Sequence, residues 1–96
     1  MNHNNIKTYS IYVYSFADGK HYVGRSTIFA KRCSASHYKQ NEELYKALKT
    51  ESYDLSIIAY AFNLEDAREL ENYYIHKYDS IRNGYNKILN KFSKVS

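Results

Sequence analysis

The sequence predicts an α+β fold, a small three-stranded antiparallel sheet flanked by helices in the order β-β-α-α-β-α. Three observations carry that expectation. Residues 9–16 (YSIYVYSF) and 21–26 (HYVGRS) are rich in β-branched and aromatic side chains and flank Asp18 and Gly19, which is a hairpin pattern. Residues 53–62 (YDLSIIAYAF) form a third run of this kind, apolar enough for a central strand. Two further stretches, one after the hairpin and one after the third strand, carry apolar residues at helical spacing.

Taken in chain order, residues 1–7 are polar and expected to fray, and Ser26 or Thr27 can cap a helix from about Ile28 to Tyr38. NEELYKALKT, from Asn41, is a second, short helix with its own cap. After the third strand, Asn63 followed by Asp66 opens a helix from about Leu64 to Asp79 in the manner of a capping box. NGYN at 83–86 is a turn signal, and residues 87–96 form a basic tail. With no repeat or linker, residues 1–96 are expected to be one domain.

Composition adds a demand. A chain of 96 residues buries only about 60 to 65% of its unfolded surface, so its core is thin and aromatics must supply much of it. Twelve tyrosines against four phenylalanines and no tryptophan bring apolar area together with hydroxyls that need partners when buried, which points to a wet or polar site. The formal charge of +4 suits an anionic partner such as nucleic acid. A single cysteine, Cys33, excludes an internal disulfide and a cysteine-based metal cluster, so a reducing, cytoplasmic setting is expected. No run approaches 18 apolar residues and the N-terminal stretch has no apolar core, so neither a membrane span nor export is expected.

Two charges stand where apolar residues belong. On the helix from Leu64, an arc of Leu64, Ala67, Leu70, Tyr74, Ile75 and Tyr78 contains Glu71. On the helix from Ile28, the face of Ile28, Phe29, Cys33 and Ala35 contains Arg32. A lone buried charge is costly, so each needs a partner. Arg32 and Glu71 either form a salt bridge between two helices, or the carboxylate holds a divalent cation while the arginine is aimed at a phosphate.

SIY at 10–12, YVG at 22–24, Arg32, Glu71 within LEN, and Asn86 closing NGYN together resemble the GIY-YIG nuclease superfamily, most closely the catalytic domains of phage GIY-YIG homing endonucleases and their free-standing relatives. The resemblance implies an endonuclease that hydrolyses DNA phosphodiesters with one divalent metal ion, Mg²⁺ or Mn²⁺. Carried over, Glu71 is the metal ligand, Arg32 stabilises charge on the phosphate, Tyr12 activates the attacking water, Tyr22 positions water or phosphate, and Asn86 is an amide at the edge of the site. A phenol is a weak base at neutral pH, so a nearby cation must favour its phenolate, and Arg25 is one candidate. Lys20, Arg25, Lys31 and Lys39 are the expected contacts to substrate phosphates. Tyr14, Tyr73 and Tyr78 are expected to pack.

The sequence departs from the family pattern in places. Ser10 replaces the first glycine of the motif, and Ser36 stands where the motif histidine is expected, with His37 one residue late. No DNA-recognition domain is evident, which implies a homodimer, a separate specificity partner, or recognition of shape. The alternative from another class is a catalytically silent nucleic-acid-binding or regulatory protein on the same fold.

The motif also fixes an expectation for the hairpin. A two-residue turn at Asp18-Gly19 would put Tyr12 and Tyr22 on opposite faces. A three-residue loop, Ala17-Asp18-Gly19, with Gly19 left-handed in a bulge pairs Tyr14 with Tyr22 and Tyr12 with Gly24, and brings the phenols to one face. The second is expected, with the Tyr12 and Tyr22 hydroxyls directed toward Arg32 and Glu71.

Overall fold

The computed structural model describes residues 7–29 and 35–87. Strands β1 (Tyr9–Phe16), β2 (His21–Ser26) and β3 (Tyr53–Ala61) form one antiparallel sheet in the order β2-β1-β3. Helix α1 (Glu42–Thr50) and helix α2 (Leu64–Tyr78) flank it, and a 3-10 turn, Ala35–Tyr38, precedes α1. This is the α+β architecture the sequence predicts, with one correction to its topology. The central strand is β1, not β3, because β1 is buried on both sides, with Ile11 through Tyr14 all at 2% exposure or less.

The hairpin takes the three-residue register. Tyr14 pairs with Tyr22 and Tyr12 with Gly24. The loop closes through Gly19 N–H to Phe16 O at 2.9 Å and Phe16 N–H to Lys20 O at 2.9 Å, with Gly19 at φ 93°. On the other side β1 meets β3 with a register shift between Ile11 and Tyr12, where Ile11 faces Ala59 and Tyr12 faces Ile57, so that Ile58 is the extra residue of a bulge.

The alternation of β1 sorts the core into two layers. Tyr12, Tyr14 and Phe16 pack with Tyr38, Leu44, Ala47, Leu48 and Tyr85. Ile11 and Val13 pack with Val23, Ala61, Ala67 and Ile75 on the opposite face, which α2 covers. Both helices start as expected. Asn41 accepts the Leu44 N–H at 3.3 Å, and Asn63 accepts the Asp66 N–H at 2.8 Å while its own Nδ2 donates to Asp66 Oδ2 at 3.0 Å. Helix α2 ends at Asp79, whose φ of 52° stops helical propagation.

Other expectations change. Ser26 Oγ does accept the Ile28 N–H, at 2.9 Å, but Ile28 lies in a bend and is half exposed, so it does not line an inner face. The expected end of that helix is the 3-10 turn instead, because the Tyr38 carbonyl accepts from Asn41 N–H at 2.9 Å and the chain must then cap α1. Residues 30–34, and with them Lys31, Arg32 and Cys33, lie outside the described residues, as do residues 1–6 and most of the basic tail. Leu64 and Tyr73 are exposed rather than packed, since the buried stripe of α2 runs through Ala67, Glu71 and Ile75.

Candidate active site

Strand β2 is an edge strand, and its Gly24-Arg25 step meets Tyr12 on one sheet face and Glu71 on the other. Tyr12 crosses under Gly24. A Cβ on Gly24 would stand 2.6 Å from both the Cζ and the hydroxyl oxygen of Tyr12, so only glycine lets the buried phenol reach the edge. The Tyr12 hydroxyl lies 2.6 Å from the Tyr38 hydroxyl, in hydrogen-bond contact. Tyr22, on the same face and half-buried, packs against the edge of Tyr38 with ring centroids 5.5 Å apart. The two motif tyrosines therefore share a face, and Tyr38 touches both.

Arg25 and Glu71 occupy the opposite side. Arg25 pairs with Ile11, which places its side chain on the face of Ile11, Val13 and Val23 that α2 covers. There its Nε meets Glu71 Oε1 at 3.0 Å. Glu71 is buried, as its place in the apolar arc requires, and Arg25 supplies a counter-charge. Arg25 thus faces the carboxylate that α2 presents, and Glu71 approaches the sheet from the side opposite the Tyr12 ring. Among the described residues, no group of three or more His, Cys, Asp or Glu side chains gathers as a metal cage.

Asn86 closes the β2 edge. Its Oδ1 accepts the Val23 N–H at 2.8 Å and its Nδ2 donates to Val23 O at 2.9 Å, which is how a neighbouring strand would pair. The Ser80 hydroxyl also donates to Oδ1 at 2.6 Å, and Tyr85 N–H donates to His21 O at 2.9 Å. NGYN is therefore docked as a substitute strand along the first half of β2, which fixes the strand that carries Tyr22 and Gly24.

The remaining candidates sit further out. His37, Lys39 and Lys20 are exposed. Lys20 lies over the Tyr85 ring at 5.6 Å, beside a groove of about 300 Å³ that Glu43, Lys46 and Glu51 also line. Burial, and then the carboxylates of Asp18, Glu51 and Glu43, push the Tyr85 phenol above its usual range. A cleft of about 490 Å³ between Tyr60, Phe62, Asp66, Glu69 and Tyr73 holds none of the motif residues. No helix among the described residues is long and apolar enough to cross a membrane.

The GIY-YIG catalytic domain model matches residues 8–86, most of the chain. This chain belongs to the GIY-YIG family. Among solved structures, a glutamate-to-alanine variant of the catalytic domain of intron endonuclease I-TevI is similar, with 26% identity, a TM-score of 0.67, and coverage of 90% of this chain and 99% of that one. No curated protein matches.

Membership makes this a nuclease-type domain and accounts for the order of SIY, YVG, LEN and NGYN around one strand edge. Two residues of this GIY-YIG domain, Tyr38 and Ser80, and a second role of the helix cap Asn41 are not read from the sequence. Tyr38 closes the helical stretch expected from Ile28, and it gains its contact with Tyr12 only when the 3-10 turn folds over β1 and β2. Ser80, wholly buried, and Asn41, whose Nδ2 donates to Tyr85 O at 2.7 Å, hold NGYN in place. A short polar side chain next to a turn motif is the one signal that marks both.

Proposed function

We propose that this chain is a metal-dependent endonuclease that hydrolyses DNA phosphodiester bonds at the Gly24-Arg25 edge of the sheet. The observation that carries the reading is Glu71, a carboxylate 8% exposed in the buried stripe of a helix, facing the strand that bears the YVG motif. A helix that served packing alone would place an apolar residue there. Family membership supports the nuclease chemistry.

The donor set fits a hard divalent cation. Mg²⁺ is held by one or two carboxylates, with water and substrate phosphate completing its shell, and Glu71 would supply one carboxylate beside the β2 edge. Glu71 is the residue that would hold Mg²⁺ or Mn²⁺, which supplies charge neutralisation at the phosphate.

The chain's own side chains do the rest. The Tyr12 phenolate takes a proton from water, the water oxygen bonds to phosphorus, one P–O ester bond breaks, and the departing oxygen takes a proton from solvent. Tyr22, half-buried on the same face, orients water or phosphate. Arg32 neutralises charge on the phosphate oxygens, and Arg25, Lys20, Lys31 and Lys39 bind flanking phosphates. Asn86 acts through β2 rather than on substrate, because its amide is engaged with Val23 and Ser80.

One observation favours a second reading. The Arg25–Glu71 ion pair gives the carboxylate a protein partner, as a catalytically silent nucleic-acid-binding descendant would need. Supercoiled plasmid incubated with the purified protein decides between them. Nicking or linearisation with Mg²⁺ or Mn²⁺ that chelator abolishes supports the nuclease. Retarded plasmid with no cleavage under any divalent ion supports the binder.

A further inference from the structure

Resting on the reading of Tyr12 as the water-activating phenol, we propose that Tyr38 is a positioning residue that holds the Tyr12 oxygen in place and stabilises it once its proton is lost. A buried phenol must find a partner, and each of these two hydroxyls has the other at 2.6 Å, near the short end for an O–H···O bond. A hydroxyl carries one hydrogen and can both donate and accept, so either can donate while both are neutral. When Tyr12 ionises, only Tyr38 retains a hydrogen. It then donates to an oxyanion, and a hydrogen bond to a charged acceptor is about twice as strong as one between neutral groups. Burial opposes a phenolate and this bond favours it.

The surroundings hold Tyr38 where this requires. Tyr38 is 5% exposed and stands edge-on to Tyr14 at 5.8 Å and to Tyr22 at 5.5 Å. The 3-10 turn that carries it is anchored by the Asn41 N–H on its carbonyl. Among the described residues, Tyr12 meets Tyr14 at 5.9 Å from its own strand and Phe29 at 5.4 Å, and the layer that holds it also contains Phe16, Tyr22, Tyr85, Leu44, Ala47 and Leu48 from α1, and Leu55 and Ile57 from β3. Among the described residues the titratable members of that layer are phenols, and the Tyr38 oxygen meets that of Tyr12. None of the motif positions includes Tyr38, and its ring ties the water-activating phenol to the positioning phenol.

Tyr38→Phe tests this, since it removes one oxygen and keeps the ring contacts. The melting temperature should fall by no more than about 8 °C, as for loss of one hydrogen bond in a domain of this size. Single-turnover plasmid cleavage should slow by about 10- to 100-fold. The pH at which the rate reaches half its maximum should rise, which a merely structural loss would not cause. A second measurement does not depend on activity. With ¹³Cζ-labelled tyrosine, and Tyr12→Phe to assign the resonance, Tyr12 should titrate at higher pH in Tyr38→Phe than in the wild type. Equal titration of Tyr12 in the two proteins overturns the proposal, as does an unchanged pH–rate profile. A wild type that cuts no plasmid overturns the nuclease reading, while the resonance of Tyr12 still decides whether the hydroxyl pair works as stated.

Discussion

The two faces of the sheet are built from the same strand and do different work. From β1, Ile11 and Val13 enter an aliphatic layer with Val23, Ala67 and Ile75, whereas Tyr12, Tyr14 and Phe16 enter an aromatic one with Tyr38 and Tyr85. The aliphatic layer borders one buried charge, Glu71, met by Arg25. The aromatic layer contains several hydroxyls, and at least Tyr12 and Tyr38 satisfy each other. A strand separates its alternate side chains by the thickness of the sheet, so a phenol and a carboxylate can serve one substrate only where the sheet stops. Strand β2 is such an edge, and there Gly24 and Arg25 stand side by side on opposite faces.

The sharpest way to break the contrast is to neutralise Glu71. Glu71→Gln should abolish cleavage, by about 1,000-fold or more, while the protein stays folded. If Glu71 served only to pair with Arg25, the same change should leave any plasmid binding intact and cost about 1 to 2 kcal/mol, a reduced figure because Arg25 keeps 27% of its side-chain surface in water. Thermal melts with and without Mg²⁺ on both proteins distinguish the cases. A wild type that neither gains stability from the ion nor cleaves with it would remove Glu71 from the metal site.

Asn86 tests whether the edge needs its substitute strand. Asn86→Ala strips partners from the Val23 N–H, the Val23 carbonyl and the Ser80 hydroxyl, all held by the one amide. A loss of about 2 to 4 kcal/mol in urea unfolding is expected, with activity falling in step with the folded fraction. Activity lost at full folding would instead make the amide a direct contact to substrate.

Gly24→Ala probes the aromatic side from the same strand. Its Cβ would collide with the Tyr12 ring, which is 2% exposed and has little room to retreat, so the melt should report about 1 to 3 kcal/mol of overpacking. An unchanged melting temperature would mean that Tyr12 does not lie under β2.

Much of this was legible before any coordinates. The hairpin register followed from Gly19 and from the need to bring two phenols together, and both helix caps followed from Asn41 and Asn63. Glu71 stood out because 100° periodicity places it among apolar residues. Its partner was not legible, because Arg25 reaches it across an edge and no spacing in the chain encodes that approach. The edge position of β3 is hidden in the sequence for a related reason. Its apolar run suits a central strand, but strand order is set by which strand has two apolar faces, and here that is β1. Tyr38 was invisible because its value lies in one oxygen–oxygen contact between distant segments.

The smallest expected effect concerns pH and sharpens the comparison within the aromatic layer. Burial, and then Asp18, Glu51 and Glu43, hold the Tyr85 phenol above its usual range. In the unfolded chain the same phenol ionises at its usual pH of about 10. Between that pH and the higher folded value, the unfolded state loses a proton that the folded state keeps, so the unfolded state binds fewer protons and stability falls as pH rises. The contribution is fully present below about pH 10 and is lost as pH climbs through the folded value. Tyr85→Phe removes the ionisable oxygen and keeps the edge-on packing on Phe16, whose ring centroid is 5.0 Å away. The informative quantity is the difference between wild type and Tyr85→Phe in urea midpoints from about pH 9 to pH 11. The variant should lose less stability over that interval, and parallel curves would show that folding leaves the Tyr85 phenol unaltered.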